Sequence, residues 1–189
     1  MRPAFIDPVF GAQEAFRALM DAMARPGRIQ RCDVLPDLPE ALAPAAAAAL
    51  LALTDAETPV WTDATGEARD WIAFHTGAPL VADASKAQFL LATRAMPKLS
   101  TLDSGTDETP QDSATLIVQL DALAEGAGWR LTGPGIEHEH RLDAAGLPDD
   151  FAAQWAANRK GFPCGVDLVL CTGARLAALP RSTRIEEAG

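Results

Sequence analysis

The sequence predicts an α/β fold in which a mixed β-sheet is layered with flanking helices. Helical and strand patterns alternate along the chain, and the strand candidates at residues 114–121 and 166–171 are apolar enough to be buried on both faces of a sheet. The chain has 189 residues, of which 48% are apolar and 22% are charged, as in an ordinary globular protein. We therefore expect a single domain over residues 1–189, with a core that needs neither disulfides nor a structural metal.

The first element is an amphipathic helix. Asp7 is suited to cap it, Pro8 to occupy its first position, and Pro26-Gly27 to end it. Its apolar side chains make one stripe at helical spacing: Val9, Phe10, Phe16, Leu19, Met20 and Met23. A second helix, over residues 44–53, is rich in alanine and has no polar face, which predicts that it is buried or packed tightly against a partner.

The remaining elements follow in order along the chain. Short strand patterns lie at residues 28–35, 58–62, 87–93, 114–121, 128–132 and 166–171. Helical patterns lie at residues 67–75, where Gly77 follows as a stop signal, and at residues 149–158. Residues 103–113 are acidic and contain Gly105 and Pro110, which indicates a surface loop.

The charge excludes one class of function and suggests a local exception. A net charge of −10 argues against a general nucleic-acid binder, because such proteins neutralise phosphates with basic side chains. Both ends of the chain are nevertheless basic: residues 1–32 hold five bases against three acids, and so do residues 152–189. If the two ends meet in the fold, a small basic patch forms on an acidic body, with Arg25 close to Arg181.

The sequence predicts no signal peptide and no membrane span. The N-terminal residues lack an apolar segment, and the longest apolar run, residues 41–53, is too short to cross a bilayer and contains Pro44. The three cysteines are an odd number without a C-x-x-C pair, which is typical of a reducing compartment. We expect a soluble, cytoplasmic protein.

The common catalytic motifs are missing. The chain has no G-x-x-x-x-G-K-[ST] loop, no G-x-G-x-x-G, no H-E-x-x-H and no G-x-S-x-G. His138 and His140 would point to the same face of a strand and could share a metal ion, but no third ligand stands at motif spacing. The pattern favours a solvated edge strand over a metal site. The sequence therefore identifies no catalytic residue and no metal site.

A glycine turn and two basic segments are candidates for anion binding. The amides of Gly133 and Gly135, on either side of Pro134, could cradle an anion, although a plain turn between antiparallel strands has the same sequence pattern. Arginine forks suit phosphates and carboxylates, although a helix end and a solvated tail explain the two basic segments equally well. The hypothetical anion-binding residues are Arg25, Gly133, Gly135, Arg181 and Thr183.

An aromatic and proline-rich turn leads into the last predicted strand. In this segment Asp167 is the second residue of the strand, where an acid is costly unless it is paired or faces solvent. We expect Asp167 to hold an arginine in place rather than to catalyse. The residues with predicted structural roles in these turns are Pro26, Gly27, Pro134, Phe162, Pro163, Gly165, Asp167 and Pro180.

Taken together, these segments resemble a known family in order and over nearly the whole chain. They are Phe5, Asp7, Gln13, Phe16-Arg17, Ala22-Met23, Arg25-Pro26-Gly27, Leu53-Thr54-Asp55, Thr58-Pro59-Val60-Trp61, Phe74-His75-Thr76-Gly77, Ser113-Ala114-Thr115, Gly133-Pro134-Gly135-Ile136, Asn158-Arg159, Phe162-Pro163, Gly165-Val166-Asp167, Leu179-Pro180-Arg181 and Thr183. This combination is similar to the H subunit (PhnH) of the bacterial carbon–phosphorus lyase system for phosphonate use. Cys164 and the acidic loop at residues 103–112 read as local variation.

The resemblance implies a fold, partners and a reaction. Members are homodimers whose α/β fold is similar to the large domain of pyridoxal-phosphate-dependent transferases, without that cofactor. They assemble with the G, I and J subunits. The complex couples a phosphonate to the ribose triphosphate moiety of ATP with loss of adenine, as a ribose 1-methylphosphonate 5-triphosphate synthase. S-adenosylmethionine and an iron–sulfur cluster act later, in another subunit.

The residues themselves agree with a subunit that binds no cofactor. Lys86, Lys98 and Lys160 are the only candidates for a Schiff base, and none lies in a recognisable pocket motif. The cysteines are too far apart in sequence for a cluster-binding triad. We expect a non-catalytic or substrate-organising subunit of the complex. Two alternatives stay open: an enzyme that binds ATP or a ribosyl phosphonate on its own, and a pure dimeric scaffold.

Overall fold

The computed structural model describes residues 3–186 of the chain. The strands of this part are β1 (Gln30–Arg31), β2 (Val60–Thr62), β3 (Phe89–Ala92), β4 (Thr115–Gln119), β5 (Ala122–Thr132), β6 (His140–Ala145), β7 (Asp167–Thr172), β8 (Arg175–Leu179) and β9 (Arg184–Glu186). The helices are α1 (Pro8–Ala24), α2 (Pro44–Leu53), α3 (Gly66–Thr76) and α4 (Phe151–Lys160). Short 3₁₀ turns lie at Ala84–Lys86, Leu99–Thr101 and Pro110–Asp112.

Six strands form a mixed sheet in the order β1-β8-β7-β4-β3-β2. The strands β2, β3, β4 and β7 run parallel to one another. Strand β8 runs antiparallel to β7, and β1 runs antiparallel to β8. A second, antiparallel sheet has the order β6-β5-β9. The predicted α/β class, with a mixed sheet flanked by helices, is confirmed.

Both faces of the large sheet are buried, because successive side chains along a strand point to opposite faces. In β4, Ile117 packs in the core formed with α1, α2 and α3, whereas Leu116 and Val118 pack in the core formed with α4 and the second sheet. The centre of the second core is aromatic, with Phe151 and Trp155 fully buried. Burial on both faces confirms the prediction made from the apolar run at residues 114–121.

The alanine-rich helix α2 has the predicted bounds and is buried within the chain. Residues 45–49 are fully buried alanines, and their small side chains allow a close approach by Ala15 and Ala22 of α1. No side chain next to α2 caps its N-terminus. Instead Gln119, from the end of β4, accepts a hydrogen bond from the amide of Ala43 at 2.7 Å. Tertiary structure thus supplies the cap.

Helix α1 begins as predicted, but its apolar stripe divides. The Asp7 carboxylate accepts hydrogen bonds from the amides of Val9 and Phe10 at 2.9 and 3.0 Å, which confirms it as the N-cap. Of the predicted stripe, Leu19 is buried against α2 and Met23 is half-buried. The other four members are exposed on the outer side of the helix: Val9, Phe10, Phe16 and Met20.

Strand pairing differs from the prediction at the sheet edges. The strand expected over residues 28–35 is reduced to β1, because its only partner is β8, at two register positions. The sequence did not predict β8 or β9. Strand β8 folds back on β7 through Gly173, whose φ of +53° suits glycine, and β9 pairs with β5. Both depend on partners distant in sequence or on a tight turn.

Candidate functional site

Three turns converge at one end of the molecule. They are the end of α1 at Arg25-Pro26-Gly27, the β5–β6 turn at residues 133–136, and the segment after β8 at residues 180–183. The amide of Gly27 donates to the carbonyl of Ala178 at 3.0 Å. A Cβ atom on Gly135 would collide with the carbonyl oxygen of Ala24, and one on Gly133 would lie 3.2 Å from the carbonyl oxygen of Ser182. The two basic ends of the chain therefore meet in the fold.

The centre of this region is an ion pair between Arg181 and Asp167. The guanidinium donates through Nη2 to Oδ2 at 2.6 Å and through Nε to Oδ1 at 3.1 Å, and the Arg181 amide donates to Oδ1 at 2.6 Å. The side chains are only 16% and 13% exposed. Because Asp167 lies at the start of β7 and Arg181 follows β8, the pair ties the two ends of one hairpin. The prediction that Asp167 holds an arginine is confirmed.

The remaining arm of Arg181 is also occupied. Its Nη1 donates to the carbonyl of Pro110 at 2.6 Å and lies 3.4 Å from the carbonyl of Pro163. One guanidinium thus joins the 103–113 loop, the 162–166 turn and the C-terminal segment. This set of bonds positions three segments of backbone and leaves few donors for a ligand.

Helix α4 fastens the same region from the inside. The Asn158 amide makes two bonds with Val166, accepting from its N–H at 2.8 Å and donating to its carbonyl at 2.9 Å. The indole N–H of Trp155 donates to the carbonyl of Thr183 at 2.9 Å. The Thr183 hydroxyl is fully buried and has no hydrogen-bond partner among the described residues. Asn158 belongs to the motifs that carry the resemblance, but no pattern in the sequence predicts these two bonds.

The five residues predicted to bind an anion do not share one depression. Arg181 lines a shallow depression of about 350 Å³ together with Met23, Phe162, Pro163 and Pro180. Arg25 is exposed and lies 3.9 Å from Asp21, while Gly133 and Gly135 pack against backbone carbonyls. The structure brings these five residues to one end of the molecule. Arg25 is the more exposed of the two arginines among them. Their anion-binding role stays a prediction.

The two histidines of the 138–140 segment are separated. His138 is exposed, whereas His140 begins β6 and its Nε2 lies 3.1 Å from the carbonyl oxygen of Gly27. His140 also lies 3.4 Å from a carboxylate oxygen of Glu125. The imidazole of His140 thus packs the end of α1 against the second sheet. Within residues 3–186, no three His, Cys, Asp or Glu side chains cluster as they would to hold a metal ion.

The outer side of α1 carries most of the large apolar side chains that are exposed in the described chain. Five of the seven large apolar side chains that are exposed lie on or next to this helix: Ile6, Val9, Phe10, Phe16 and Met20. Phe10 is 70% exposed. Met23, at the end of the same helix, lines the Arg181 depression. The apolar face of α1 therefore continues into the region where the three turns meet.

Comparison with known proteins places this chain. The family model described as bacterial phosphonate metabolism protein (PhnH) matches residues 3–186. This chain belongs to the PhnH family. Over 188 residues it is 42% identical to "Alpha-D-ribose 1-methylphosphonate 5-triphosphate synthase subunit PhnH" of Rhizobium meliloti, covering 97% of this chain and 94% of that protein. It is 37% identical over 113 residues to "Putative C-P lyase subunit protein HtxG" of Stutzerimonas stutzeri, covering 57% and 55%.

Family membership confirms the resemblance drawn from the sequence motifs. Five of those motifs have structural roles in this PhnH protein, because the contacts described above join the Arg25-Pro26-Gly27, Gly133–Gly135, Asn158, Asp167 and Arg181 segments. A further ordered position, which no sequence motif indicated, lies at the opposite end of the sheet, after β2.

There Asp63 ties β2 to β3. Its carboxylate accepts hydrogen bonds from the amides of Thr93, Arg94 and Ala95 at 2.7, 3.0 and 3.0 Å and from the Thr93 hydroxyl at 2.8 Å. Burial disfavours the charged carboxylate, but these four bonds outweigh it and lower the pKa of Asp63. The signal available in the sequence was an acid directly after a buried strand.

Within residues 3–186, the surroundings of the three thiols favour the protonated form, which is a poor nucleophile. Burial raises the pKa of Cys32 to about 11 and also raises the pKa of Cys171. Burial, with the neighbouring Asp107, raises the pKa of Cys164. All three lysines are exposed.

Among residues 3–186, no helix is both long and apolar enough to cross a membrane.

Proposed function

We propose that this protein is the H subunit of a carbon–phosphorus lyase complex and takes part in coupling a phosphonate to the ribose triphosphate moiety of ATP with loss of adenine. Its role there is non-catalytic or substrate-organising. The names of the two relatives, a synthase subunit and a C-P lyase subunit protein, support this reaction and this complex. We further propose that it forms a homodimer and joins the G, I and J subunits.

The exposed apolar face of α1 is the observation that carries the proposal. A group of exposed apolar side chains on one helix marks a surface that another protein covers. Covering a phenylalanine contributes about 1.5–3 kcal/mol, so Phe10 and Phe16 alone supply a sizeable part of an interface. The charges of Arg181 and Asp167, which are the candidate for an anion site, are meanwhile paired with each other. These features fit an assembling subunit better than an independent enzyme.

We assign the apolar face of α1 to the homodimer contact. Val9, Phe16 and Met20 stand seven and four residues apart, so they lie on one side of the helix. A two-fold contact through this side is isologous, because both copies contribute the same side chains.

The remaining partner surface is the Arg181 depression. Phe162 at its rim is 61% exposed, and Met23, Pro163 and Pro180 add apolar area. Rigid prolines beside an exposed aromatic ring suit a protein contact, because little conformational freedom is lost on binding. We assign this end of the molecule to the G, I and J subunits.

A substrate-organising role would depend on Arg25, whose guanidinium is exposed and only loosely paired. Calorimetry of the purified chain with ATP and with methylphosphonate tests whether it binds these anions by itself. Heat that saturates, and that Arg25→Met removes, would support an independent site and favour the alternative of an enzyme acting on its own.

We also infer a fold similar to the large domain of pyridoxal-phosphate-dependent transferases, a single domain over residues 1–189, a cytoplasmic location and no cofactor bound by this subunit. The exposure of Lys86, Lys98 and Lys160 supports the absence of a Schiff-base site, since a Schiff-base lysine needs a pocket that holds the cofactor. The three free cysteines are consistent with a reducing compartment.

The test is assembly. We expect the chain, co-expressed with the G, I and J subunits, to purify with them, and alone to have the mass of a dimer by light scattering. Phe10→Glu with Phe16→Glu should give a monomer of unchanged circular dichroism. Phe74→Glu, on the exposed surface of α3, is the matched control and should remain dimeric. A chain that never joins the other subunits would overturn the proposal, and a dimer that survives both glutamates would overturn the assignment of α1.

A further inference from the structure

A groove of about 410 Å³ lies between the start of α1 and the segment that follows β1. Ile6, Phe10 and Glu14 line it from the helix end, and residues 33–36 form the other wall. Phe10 and Glu14 are four residues apart, so they share one face of the helix. We call this depression the Phe10 groove.

The Phe10 groove is apolar and is turned away from the side of α1 assigned to the homodimer. Successive residues of an α-helix are about 100° apart, so Phe10 lies roughly a quarter of the circumference away from Val9. Phe10 and Ile6 are the two most exposed of the large apolar side chains of the described chain, except for none other than each other. Val34, Leu35 and Pro36 add apolar area on the opposite wall. The groove is therefore a second apolar surface beside the same helix.

The charged side chains that line the Phe10 groove are all acidic: Asp7, Glu14 and Asp33. The N-cap bonds of α1 use only Oδ1 of Asp7. Asp33 accepts a hydrogen bond from Arg31 at 2.6 Å, but both side chains of this pair are exposed. Glu14 forms no ion pair within 4.0 Å with another residue of the 3–186 range. The groove thus carries a net negative charge on an apolar surface.

The negative charge of the groove also acts on the core beside it. Burial is the main reason that the pKa of the Cys32 thiol is raised, and the carboxylates of Glu14 and Asp33 raise it further. Coulombic effects fall off with distance, so the two carboxylates lie near the same buried thiol although they come from different segments.

The combination of apolar area and acidic charge selects the class of partner. A phosphate, a nucleic acid or an anionic lipid surface would meet like charges. Within residues 3–186, the carboxylates do not cluster as metal ligands do. An amphipathic protein segment can lay apolar side chains against Phe10 and Val34, and basic side chains beside them complement the carboxylates.

We propose that the Phe10 groove binds a basic amphipathic segment of another subunit of the complex. An apolar side chain of this segment packs against Phe10 and Val34, and its lysine or arginine side chains pair with Glu14 and Asp33. This inference rests on the proposed function for the source of the segment, but the apolar and acidic surface belongs to this chain. The groove gives the protein a contact distinct from the Arg181 depression.

The experiment is a titration of the full chain, labelled with ¹⁵N, with a model amphipathic helix made of leucine and lysine. We expect the amide signals of residues 6–14 and 33–36 to shift and to saturate together. A peptide with serine in place of leucine lacks the apolar side chains, and one with glutamate in place of lysine has the wrong charge. Each should bind at least about tenfold more weakly.

Variants identify the side chains that bind. Phe10→Ser should weaken the leucine–lysine peptide about tenfold, because it removes exposed apolar area without disturbing the core. Glu14→Gln should weaken it roughly twofold to fivefold, as expected for one exposed charge contact. Asp149→Asn, an exposed acid before α4, is the matched control and should leave the affinity unchanged.

Three results would overturn the inference. One is a set of shifts that spreads over the acidic surface outside the groove, and another is an equal effect of Glu14→Gln and Asp149→Asn. The third is movement of the groove signals when the chain alone is concentrated, since a second copy would then cover the groove.

The two proposals fail separately. A chain that joins the G, I and J subunits but does not bind the leucine–lysine peptide contradicts only the Phe10 groove. A chain that binds this peptide in the groove but never joins those subunits contradicts only the proposed function.

Discussion

Replacing Arg181 by methionine tests whether this residue is a structural tie. The substitution keeps most of the side-chain length but removes every donor that the guanidinium directs to Asp167 and Pro110. The Asp167 side chain is only 13% exposed, and its carboxylate would keep from residue 181 only the hydrogen bond donated by the backbone amide. Because an uncompensated charge would remain nearly out of contact with water, the fold should be strongly destabilised.

The magnitude follows from the burial of the pair. Removing one partner of a buried ion pair costs about 3–5 kcal/mol, and the partial exposure here favours the lower end, about 3 kcal/mol. For a chain of this length each kcal/mol lowers Tm by roughly 2–4 °C, so Arg181→Met should lower Tm by roughly 6–12 °C. The double variant Arg181→Met with Asp167→Leu should recover part of this loss, since it removes the unpaired charge.

The assay is thermal and urea unfolding followed by circular dichroism. Arg25→Met is the matched control, because Arg25 is exposed and lies 3.9 Å from its acidic neighbour; it should cost less than about 0.5 kcal/mol. If Arg181→Met and Arg25→Met lower Tm equally, or if the double variant is no more stable than Arg181→Met, the structural assignment of Arg181 is wrong. Arg181 would then be free for the anion-binding role.

Three further predictions concern other parts of the fold. Asp63→Asn should lower the free energy of unfolding by about 1–3 kcal/mol at pH 7. Since the pKa of Asp63 is lower in the folded state, its contribution to stability is complete above the unfolded pKa of about 3.9 and fades as the pH falls through the folded pKa. Urea unfolding at pH 7 and near pH 3 should therefore show the stabilities of the wild type and Asp63→Asn converging at the lower pH. A difference that stays constant would contradict this. Gly135→Ala should destabilise the fold more than Gly126→Ala. Both glycines have positive φ (+82° and +87°), but only Gly135 packs against the Ala24 carbonyl. Equal unfolding midpoints of the two variants would show that this close approach is unimportant. A thiol reagent should label Cys164 first in the folded chain and the two buried cysteines only on unfolding, and rapid labelling of a buried one would contradict the core described above.

Local patterns were enough to predict the elements that depend on neighbouring residues. The start of α1 at Asp7-Pro8, the bounds of α2 and the stop of α3 at Gly77 all follow from caps, proline geometry and glycine freedom, which act within one turn. The pairing of Asp167 with an arginine was also predictable, because a carboxylate on a buried strand must find a partner.

Which arginine that partner would be could not be read from the sequence, since strand β8 was not detected and only its pairing with β7 brings residue 181 to Asp167. Long-range pairing likewise decided the short β1, the cap that Gln119 provides for α2 and the four bonds of Asp63. The last three contacts join residues 146 positions apart for Gln30 and Leu176 (176 − 30), 76 for Ala43 and Gln119, and 30 for Asp63 and Thr93. No local propensity records such a choice.

The sequence by itself therefore determined the class of fold, the family and the residue types that meet where the chain ends converge. The tertiary structure decided how those residues are used. It engaged the Arg181 guanidinium with Asp167 and backbone carbonyls, and it left four of the six apolar residues of the α1 stripe exposed. The physical reason is the same in both cases: a side chain's donors, charge and apolar area act only on the atoms that folding places beside them, and those atoms come from distant parts of the chain.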